Sequence, residues 1–114
     1  MTRPPSGIYK ITNNANKRVY IGQSQNVYIR RKQHWAELKS GKHPNKMMQI
    51  DWKTNYRSFR FDVIEWCSIE ELNDREKYWI EYYGSIESGY NQGWVPFKRK
   101  EPKQTKSKPR RYGK

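Results

Sequence analysis

The stretch that decides the fold is GIYKITNNANKRVYIGQ, residues 7–23. Gly7 to Thr12 and Arg18 to Gly22 are each rich in β-branched and aromatic residues, which predicts two short strands. The residues between them, Asn13 to Lys17, include three asparagines, and asparagine favours turns because its side chain hydrogen-bonds the nearby backbone. The pattern therefore predicts a β-hairpin near the beginning of the chain.

This hairpin carries two tyrosines. If the strands pair symmetrically about the turn, Tyr9 lies directly opposite Tyr20, and directly opposed residues point to the same side of a sheet. Tyrosines on strands are usually half-buried packing residues, so the pair could serve packing or chemistry.

Beyond the hairpin the sequence predicts helices and a third strand. Ser24 to Asn26 is a helix-start signal, and this helix is expected to end at Ser40-Gly41 after about Lys39. A second helix is predicted from Asn45 to about Tyr56, and the partly alternating stretch from Phe59 to Trp66 predicts a strand. We expect one folded domain over residues 1–97.

The clearest element is a helix that follows Ser68. Ser68 and Glu71 match a capping box, and Gly84 stands where a C-terminal cap glycine belongs. The middle of the inward-facing stripe is a carboxylate, Glu76. The apolar members of the stripe follow helical spacing: Ile69, Leu72, Trp79 and Tyr83.

Glu76 is costly on an apolar stripe unless a partner compensates its charge. Its side chain could reach the rim of the domain, form a buried pair with an arginine, or hold a metal ion. Mg²⁺ needs only one or two protein carboxylates, since it keeps several waters and takes phosphate oxygens from a substrate. Because the sequence offers no evident second carboxylate, a metal site here favours a one-metal phosphodiesterase.

The net charge of +13 points to a polyanionic partner, with nucleic acid as the first candidate. A merely solvated basic surface and a membrane-binding patch are the alternatives. Nine basic residues and one acid lie between Lys98 and Lys114, a net charge of +8. With almost no apolar residues there, we expect a flexible arm, residues 98–114, that binds DNA phosphates, or else a solubilising or targeting tail.

The supply of sulfur and nitrogen ligands is small. One cysteine, Cys67, excludes an intrachain disulfide, and with only His34 and His43 beside it a four-ligand structural zinc site is not expected. No stretch is apolar enough to span a bilayer, and the N-terminus has no signal-peptide core. We therefore expect an intracellular protein without a membrane partner.

Gly7-Ile8-Tyr9, ten further residues and then Tyr20-Ile21-Gly22 resemble the signature of the GIY-YIG nucleases. The resemblance spans about residues 6–94 and implies an α+β fold, a small three-stranded antiparallel sheet flanked by helices. The stretch from His43 to Trp52 is similar in style to the phage and group I intron-encoded, homing-type branch.

Two departures from family patterns bear on specificity. Gln23 stands where excision-repair relatives often carry a lysine, which disfavours the repair branch. Homing relatives usually add a long DNA-recognition region, whereas only the 98–114 arm follows here, which argues against high site specificity.

The resemblance also implies site residues. Arg30 and His34 match positions one turn apart on the family's first helix, Glu76 matches its metal-binding glutamate, and Asn91 matches an asparagine expected to brace the site. The candidate catalytic residues are therefore Tyr9, Tyr20, Arg30, His34, Glu76 and Asn91. The candidate DNA-binding residues are Arg31, Lys32, Lys98, Arg99, Lys100, Lys103, Arg110 and Arg111.

The implied reaction is Mg²⁺-dependent hydrolysis of a DNA phosphodiester, with Mn²⁺ expected to substitute. Glu76 would hold the ion, and Arg30 would stabilise charge on the phosphoryl oxygens. Tyr9 or Tyr20 would orient or deprotonate water, with His34 as the proton acceptor. We expect a monomer, or a dimer on DNA. A catalytically silent DNA-binding protein, a structure-specific repair or restriction nuclease, and RNA as the substrate are the alternatives.

Overall fold

The structure, a computed structural model, describes residues 5–98. Three antiparallel strands form one sheet in the order β2-β1-β3, and helices flank it, which confirms the predicted α+β fold. The elements are β1 Gly7–Asn13, β2 Arg18–Ser24, α1 Val27–Ser40, α2 Lys46–Asn55, β3 Phe59–Trp66, α3 Leu72–Tyr83 and the short α4 Ser85–Ser88.

Local sequence explains why the first helix begins and ends where it does. The side chain of Asn26 accepts hydrogen bonds from the backbone N–H groups of Tyr28 and Ile29, at 3.1 and 3.2 Å. These bonds satisfy two donors that a helix start leaves unpaired. At the other end Gly41 adopts the left-handed conformation, with φ of 78°, which only glycine enters without steric cost.

The central strand β1 separates two apolar clusters. Tyr9 and Ile11 point towards α1 and α2, while Ile8 points to the opposite face, where it packs with Leu72 and Ile80 of α3. Successive side chains of a strand alternate between faces, so one strand supplies both layers. The domain therefore places α1 and α3 on opposite sides of one sheet.

The pairing of β1 with β2 corrects one prediction. Tyr9 pairs with Gly22, and Tyr20 pairs with Ile11, so the two tyrosines are diagonal neighbours and not directly opposed. The actual register differs by two residues from the predicted Tyr9–Tyr20 pairing, because β1 continues to Asn13 and the turn is formed by residues 14–17. An even displacement keeps both tyrosines on one face, and their ring centroids lie 6.4 Å apart.

Both glycines at the outer ends of the paired tripeptides are needed for close approach. A Cβ at Gly22 would overlap the ring and hydroxyl of Tyr9, which lie across that position. A Cβ at Gly7 would overlap the backbone carbonyl oxygen of Glu65 on β3. Gly7 therefore lets β3 approach β1 closely, and Gly22 makes room for the buried Tyr9.

The edge strand β2 is partly covered by the chain that follows α4. The backbone N–H of Tyr90 donates to Val19 O at 2.9 Å. The side chain of Asn91 accepts from Ile21 N at 2.8 Å and donates to Ile21 O at 3.0 Å. These bonds pair backbone groups that an edge strand would otherwise expose.

The C-terminal helix departs from prediction in three details. Ile69 is 39% exposed, because Ile69–Glu71 forms a 3₁₀ turn before α3 begins. Ile80, which was not assigned to the inward stripe, is buried, and α4 was not predicted. The capping interaction is as expected, since Glu71 Oε1 accepts from the Ser68 backbone N–H at 3.1 Å.

Among residues 5–98, no helix is both long and apolar enough to cross a bilayer.

The close approach at Gly7 gives the first testable prediction. Gly7→Ala should lower the free energy of unfolding by about 1–3 kcal/mol, because the new methyl group meets a backbone atom that cannot rotate away. Gly93→Ala is the matched control, since a Cβ there has no neighbour within 4 Å. Urea unfolding of both variants measures the difference, and equal stabilities would contradict the close-approach explanation.

Candidate active site

A cleft of about 950 Å³ opens where β2, α1 and α3 come together. It is lined by residues from five parts of the chain: β1, β2, α1, α3 and the segment that follows α4. Four of the predicted catalytic residues reach it: Tyr9, Tyr20, Arg30 and Glu76. A second, smaller cleft of about 320 Å³ shares Tyr20, Arg30 and Glu76 and is also lined by His43 and Asn91.

The two tyrosines differ in exposure and in neighbours. Tyr9 is 1% exposed, stacks on Phe61 with a centroid distance of 4.8 Å, and lines the cleft. Tyr20 is half-buried and likewise lines the cleft. Burial raises the pKa of both phenols, because a phenolate loses its hydration inside the protein. Either hydroxyl is therefore protonated in the resting domain.

Arg30 opposes this effect of burial. Its guanidinium lowers the pKa of Tyr9 through its charge and a hydrogen bond, and lowers that of Tyr20 through its charge. Arg30 Nη1 also donates to Gln33 Oε1 at 3.0 Å, which helps to hold the guanidinium at the cleft. The arginine is thus placed both to stabilise a phenolate and to contact an anionic ligand.

His34 lies beneath the tyrosines and is fully buried. Its Nε2 is 2.7 Å from Tyr9 Oη, and its Nδ1 is 2.8 Å from His43 Nε2. Burial lowers the pKa of His34 to about 3, and the charges of Arg30 and His43 act in the same direction. His34 is therefore a neutral imidazole that touches the tyrosine but does not line the cleft itself.

The carboxylate of Glu76 is oriented by two neutral donors. Gln23 Nε2 donates to Glu76 Oε1 at 2.8 Å, and Trp94 Nε1 donates to the same oxygen at 3.2 Å. Glu76 is half-buried on α3 and is the one acidic residue that lines either of the two clefts described above. The inward stripe of α3 thus delivers its carboxylate to the cleft, where a bound ion could reach it.

Asn91 does not line the larger cleft and binds the backbone of β2. Both ends of its amide bind the backbone of Ile21, one residue before Gly22. It lines the smaller cleft, but its hydrogen-bonding groups face β2. The structure thus places it as a brace for the strand that carries Tyr20.

Three residues of the site were not singled out from the sequence. Gln23 and Trp94 hold Glu76, and His43 extends the hydrogen-bond chain behind Tyr9. His43 belongs to the stretch whose style resembled the homing-type branch, which was the one available signal. Gln23 had been noted only as a departure from the repair branch, and nothing local marked Trp94.

The predicted DNA-binding residues fall into three groups. Arg31 and Lys32 are exposed on α1, and Lys98 is exposed at the cleft. The segment leading to Lys98 is anchored to α3, because Phe97 N donates to Asn73 Oδ1 at 2.9 Å and Asn73 Nδ2 donates to Phe97 O at 3.1 Å. The other predicted residues lie outside the described part of the chain: Arg99, Lys100, Lys103, Arg110 and Arg111.

Two places in the described residues could be considered for a metal ion. His34, Glu37 and His43 offer ligand atoms within 4.8 Å of one another, but the two imidazole nitrogens already share a hydrogen bond. Glu76 offers a single carboxylate at a wide cleft, which suits a hydrated ion such as Mg²⁺ that takes further ligands from water and phosphate. The carboxylate oxygens and the room in the cleft both favour Glu76 over the two histidines as the place for such an ion.

Three comparisons with known proteins agree with this geometry. The protein-family model described as the GIY-YIG catalytic domain matches residues 5–91. Intron-associated endonuclease 1 of Enterobacteria phage T4 is 32% identical over 88 residues, which are 75% of this chain and 36% of that protein. The chain thus matches about a third of the length of this curated relative.

Solved structures show the same architecture. The catalytic domain of the homing endonuclease I-TevI has a TM-score of 0.72 at 29% identity, covering 77% of this chain and 98% of that one. A mutant form of the catalytic domain of the intron endonuclease I-TevI has a TM-score of 0.74 at 28% identity, covering 82% and 98%.

The buried, neutral His34 predicts a pH dependence of stability. Its folded pKa is about 3, well below the unfolded value, so the unfolded chain binds more protons as pH falls below about 6.5. The free energy of unfolding should therefore decrease on acidification, with a slope approaching about 1.4 kcal/mol per pH unit for this one group. Urea unfolding between about pH 7 and pH 5 should show a flatter slope for His34→Gln than for the wild type.

The difference between the two slopes is the informative quantity. Carboxylates and His43 titrate in both proteins, so their contributions largely cancel. Identical slopes would mean that His34 is not held neutral by the fold.

Proposed function

The chain belongs to the GIY-YIG catalytic domain family, and from this we propose that it is a divalent-metal-dependent endonuclease that hydrolyses DNA phosphodiester bonds. One observation supports this above the rest: an arginine, two tyrosines and a single carboxylate, brought from β1, β2, α1 and α3, converge on one cleft. That set offers a cation binder, an anion binder and hydroxyl groups for water, as phosphodiester hydrolysis requires.

Glu76 is the proposed metal ligand. The donors Gln23 and Trp94 orient its carboxylate, and the cleft leaves room for a hydrated ion and a phosphate group. Mg²⁺, or Mn²⁺ in its place, would supply charge stabilisation to the phosphoryl and leaving oxygens when bound. One carboxylate is sufficient, because the substrate and water complete the coordination of such an ion.

Arg30 is the proposed anion binder. Its planar guanidinium can donate two parallel hydrogen bonds to the non-bridging oxygens of one phosphate. Charge on these oxygens grows as water attacks phosphorus, so a donor fixed at the cleft favours the transition state over the bound substrate. The exposed Arg31 and Lys32 on the same helix would contact neighbouring phosphates.

Tyr9 and Tyr20 are the proposed water-handling groups. Burial makes either phenol a weak acid at rest, so one of them can serve as a base only while the positive charge of Arg30 stabilises its phenolate. We favour Tyr9 as the base and Tyr20 as the residue that positions the water, since Arg30 lowers the pKa of Tyr9 through both its charge and a hydrogen bond, and that of Tyr20 through its charge.

The DNA would be held near the cleft by the basic segment that starts at Lys98. Phosphate contacts from such a segment fix position without reading sequence directly. One site cuts one strand, so a double-strand break would need two successive nicks or a dimer on DNA. We propose a monomer that acts on intracellular DNA.

The central experiment is plasmid nicking by Glu76→Gln and the wild type, with Mg²⁺ and with EDTA. Loss of the carboxylate charge should reduce the nicking rate by at least about 100-fold, because the metal is no longer held. Glu81→Gln, an exposed residue of the same helix, is the matched control and should cut like the wild type.

Other outcomes of this assay would support one of the alternative functions. A wild type that binds plasmid but leaves it intact with every divalent metal would identify a catalytically silent DNA-binding protein. Equal cutting by the two glutamate variants would remove Glu76 from the mechanism. Faster cleavage of an RNA than of a DNA of the same sequence would reassign the substrate.

Removal of residues 98–114 tests the basic segment. DNA affinity should fall, and the plot of log affinity against log salt should flatten by about 0.9 for each phosphate that the segment had neutralised. Cleavage at saturating DNA should be unchanged, since the remaining chain ends at Phe97, which is anchored to Asn73. An unchanged salt slope would show that this segment does not bind phosphates.

A further inference from the structure

A chain of three hydrogen bonds runs from the backbone of Asn45 to the hydroxyl of Tyr9. Asn45 N lies 3.0 Å from His43 Nδ1, His43 Nε2 lies 2.8 Å from His34 Nδ1, and His34 Nε2 lies 2.7 Å from Tyr9 Oη. All four residues are at least nine-tenths buried. Water therefore does not compete for these groups, and each buried nitrogen depends on its neighbour in the chain.

The direction of this hydrogen-bond chain is set at the backbone of Asn45. A backbone N–H can only donate, so His43 Nδ1 must accept and carries no hydrogen. A neutral His43 then has its hydrogen on Nε2 and donates it to His34 Nδ1. Because His34 Nδ1 accepts this hydrogen bond, the single hydrogen of a neutral His34 is on Nε2, where it faces Tyr9. We propose that the Asn45 backbone N–H fixes both tautomers in series, so that His34 donates to Tyr9 Oη and the phenolic proton of Tyr9 faces the cleft.

Every other protonation pattern breaks a bond in the chain. The opposite tautomer of His43, or its cation, would place an N–H against the N–H of Asn45. A cationic His34 would likewise direct a second N–H at the donor of His43. Two buried donors that face each other are both left unpaired, which is unfavourable away from water.

The geometry of the rings favours shared hydrogens over a bound metal. The planes of His34 and His43 are within 20°, and their centroids are 5.0 Å apart while the nearest nitrogens are 2.8 Å apart. The rings therefore meet edge to edge along the N···N line. A metal ion cannot occupy that line, because each imidazole nitrogen needs about 2.0–2.1 Å to a metal such as zinc.

The charged groups around this hydrogen-bond chain do not all act in one direction. Arg30 disfavours an additional proton on either histidine. Glu37 favours protonation of His43, but its Oε1 is 3.9 Å from His43 Nε2, farther than the 2.8 Å to His34. Tyr20 and Glu76 act on Tyr9 from the cleft side and oppose its ionisation.

This inference rests on the proposed nuclease function only for its catalytic consequence. With Oη accepting from His34, the phenolic proton of Tyr9 can pass only to a water or phosphate oxygen in the cleft, and the phenolate that remains still accepts the hydrogen bond from His34. His34 therefore acts as a hydrogen-bond donor to Tyr9, the reverse of the acceptor role expected from the sequence. His43 and Asn45 are positioning residues, since they act through His34.

Imidazole ¹⁵N chemical shifts of the full-length chain test the tautomers directly. The protein contains two histidines, so a single variant assigns both rings. In the wild type, both should show a protonated Nε2 and an unprotonated Nδ1. A protonated Nδ1 on either ring, or a Zn²⁺-induced shift of both rings at stoichiometric metal, would overturn the proposal.

Two substitutions at one position separate positioning from packing. In His43→Gln the amide nitrogen can still donate to His34 Nδ1, so His34 should keep its tautomer and nicking should stay within a few-fold of the wild type. In His43→Leu this donor is removed and the hydrogen of His34 is no longer fixed on Nε2, so the ring should populate both tautomers, and kcat should fall on the order of 10-fold to 100-fold with little change in KM.

The remaining outcomes are decisive in different ways. Equal loss of activity in both variants, with the His34 tautomer unchanged, would indicate a packing role and overturn the proposal. A changed tautomer with undiminished kcat would overturn its catalytic part. If the wild type has the proposed tautomers but cleaves no DNA, the hydrogen-bond chain is supported and the proposed function is refuted. The two failures are therefore distinguishable.

Discussion

The overlap of Tyr9 with the empty side-chain position of Gly22 is the constraint on which the site depends. These residues are cross-strand partners, and the tyrosine ring occupies the space that any other residue at position 22 would fill. This packing buries the ring, which still lines the cleft, and leaves the hydroxyl within hydrogen-bond distance of His34. A residue with a side chain at position 22 would displace the ring and, with it, the hydroxyl and its hydrogen-bond partners.

Around this contact the domain keeps neutral and charged groups apart. The inner side of the tyrosine meets His34, which in turn contacts His43, and burial lowers the pKa of both imidazoles; the outer side meets Arg30 and Glu76 at the cleft. The two charged residues come from helices on opposite faces of the sheet, and they reach the same cleft because β2 is an edge strand. Asn91 pairs the backbone of β2 at Ile21, so the edge is fixed where the two faces meet.

Features that depend on neighbouring residues were predictable from the sequence, and those that depend on distant residues were not. The caps at Asn26, Gly41 and Glu71 act within a few residues, so the ends of α1 and the capping box before α3 followed from local patterns. The family resemblance supplied the identity of Arg30 and Glu76, although not their partners. The register of the hairpin was predicted wrongly, because turn geometry, which the symmetric rule ignored, decides where the strands begin to pair. The contacts of Trp94 and His43 required tertiary structure.

The position of β1 at the centre of the sheet makes assembly of the candidate site conditional on the complete fold. Its hairpin partner follows immediately in sequence, but its other neighbour, β3, lies far along the chain, and α3 with Glu76 comes later still. Closing such a long loop costs entropy that only the finished tertiary structure repays. A nascent, nicked or partly unfolded chain can thus hold the tyrosines and Arg30 without holding Glu76 against them. Under the proposed function, the fold itself would restrain a chemistry that is hazardous to the DNA of the cell that makes it.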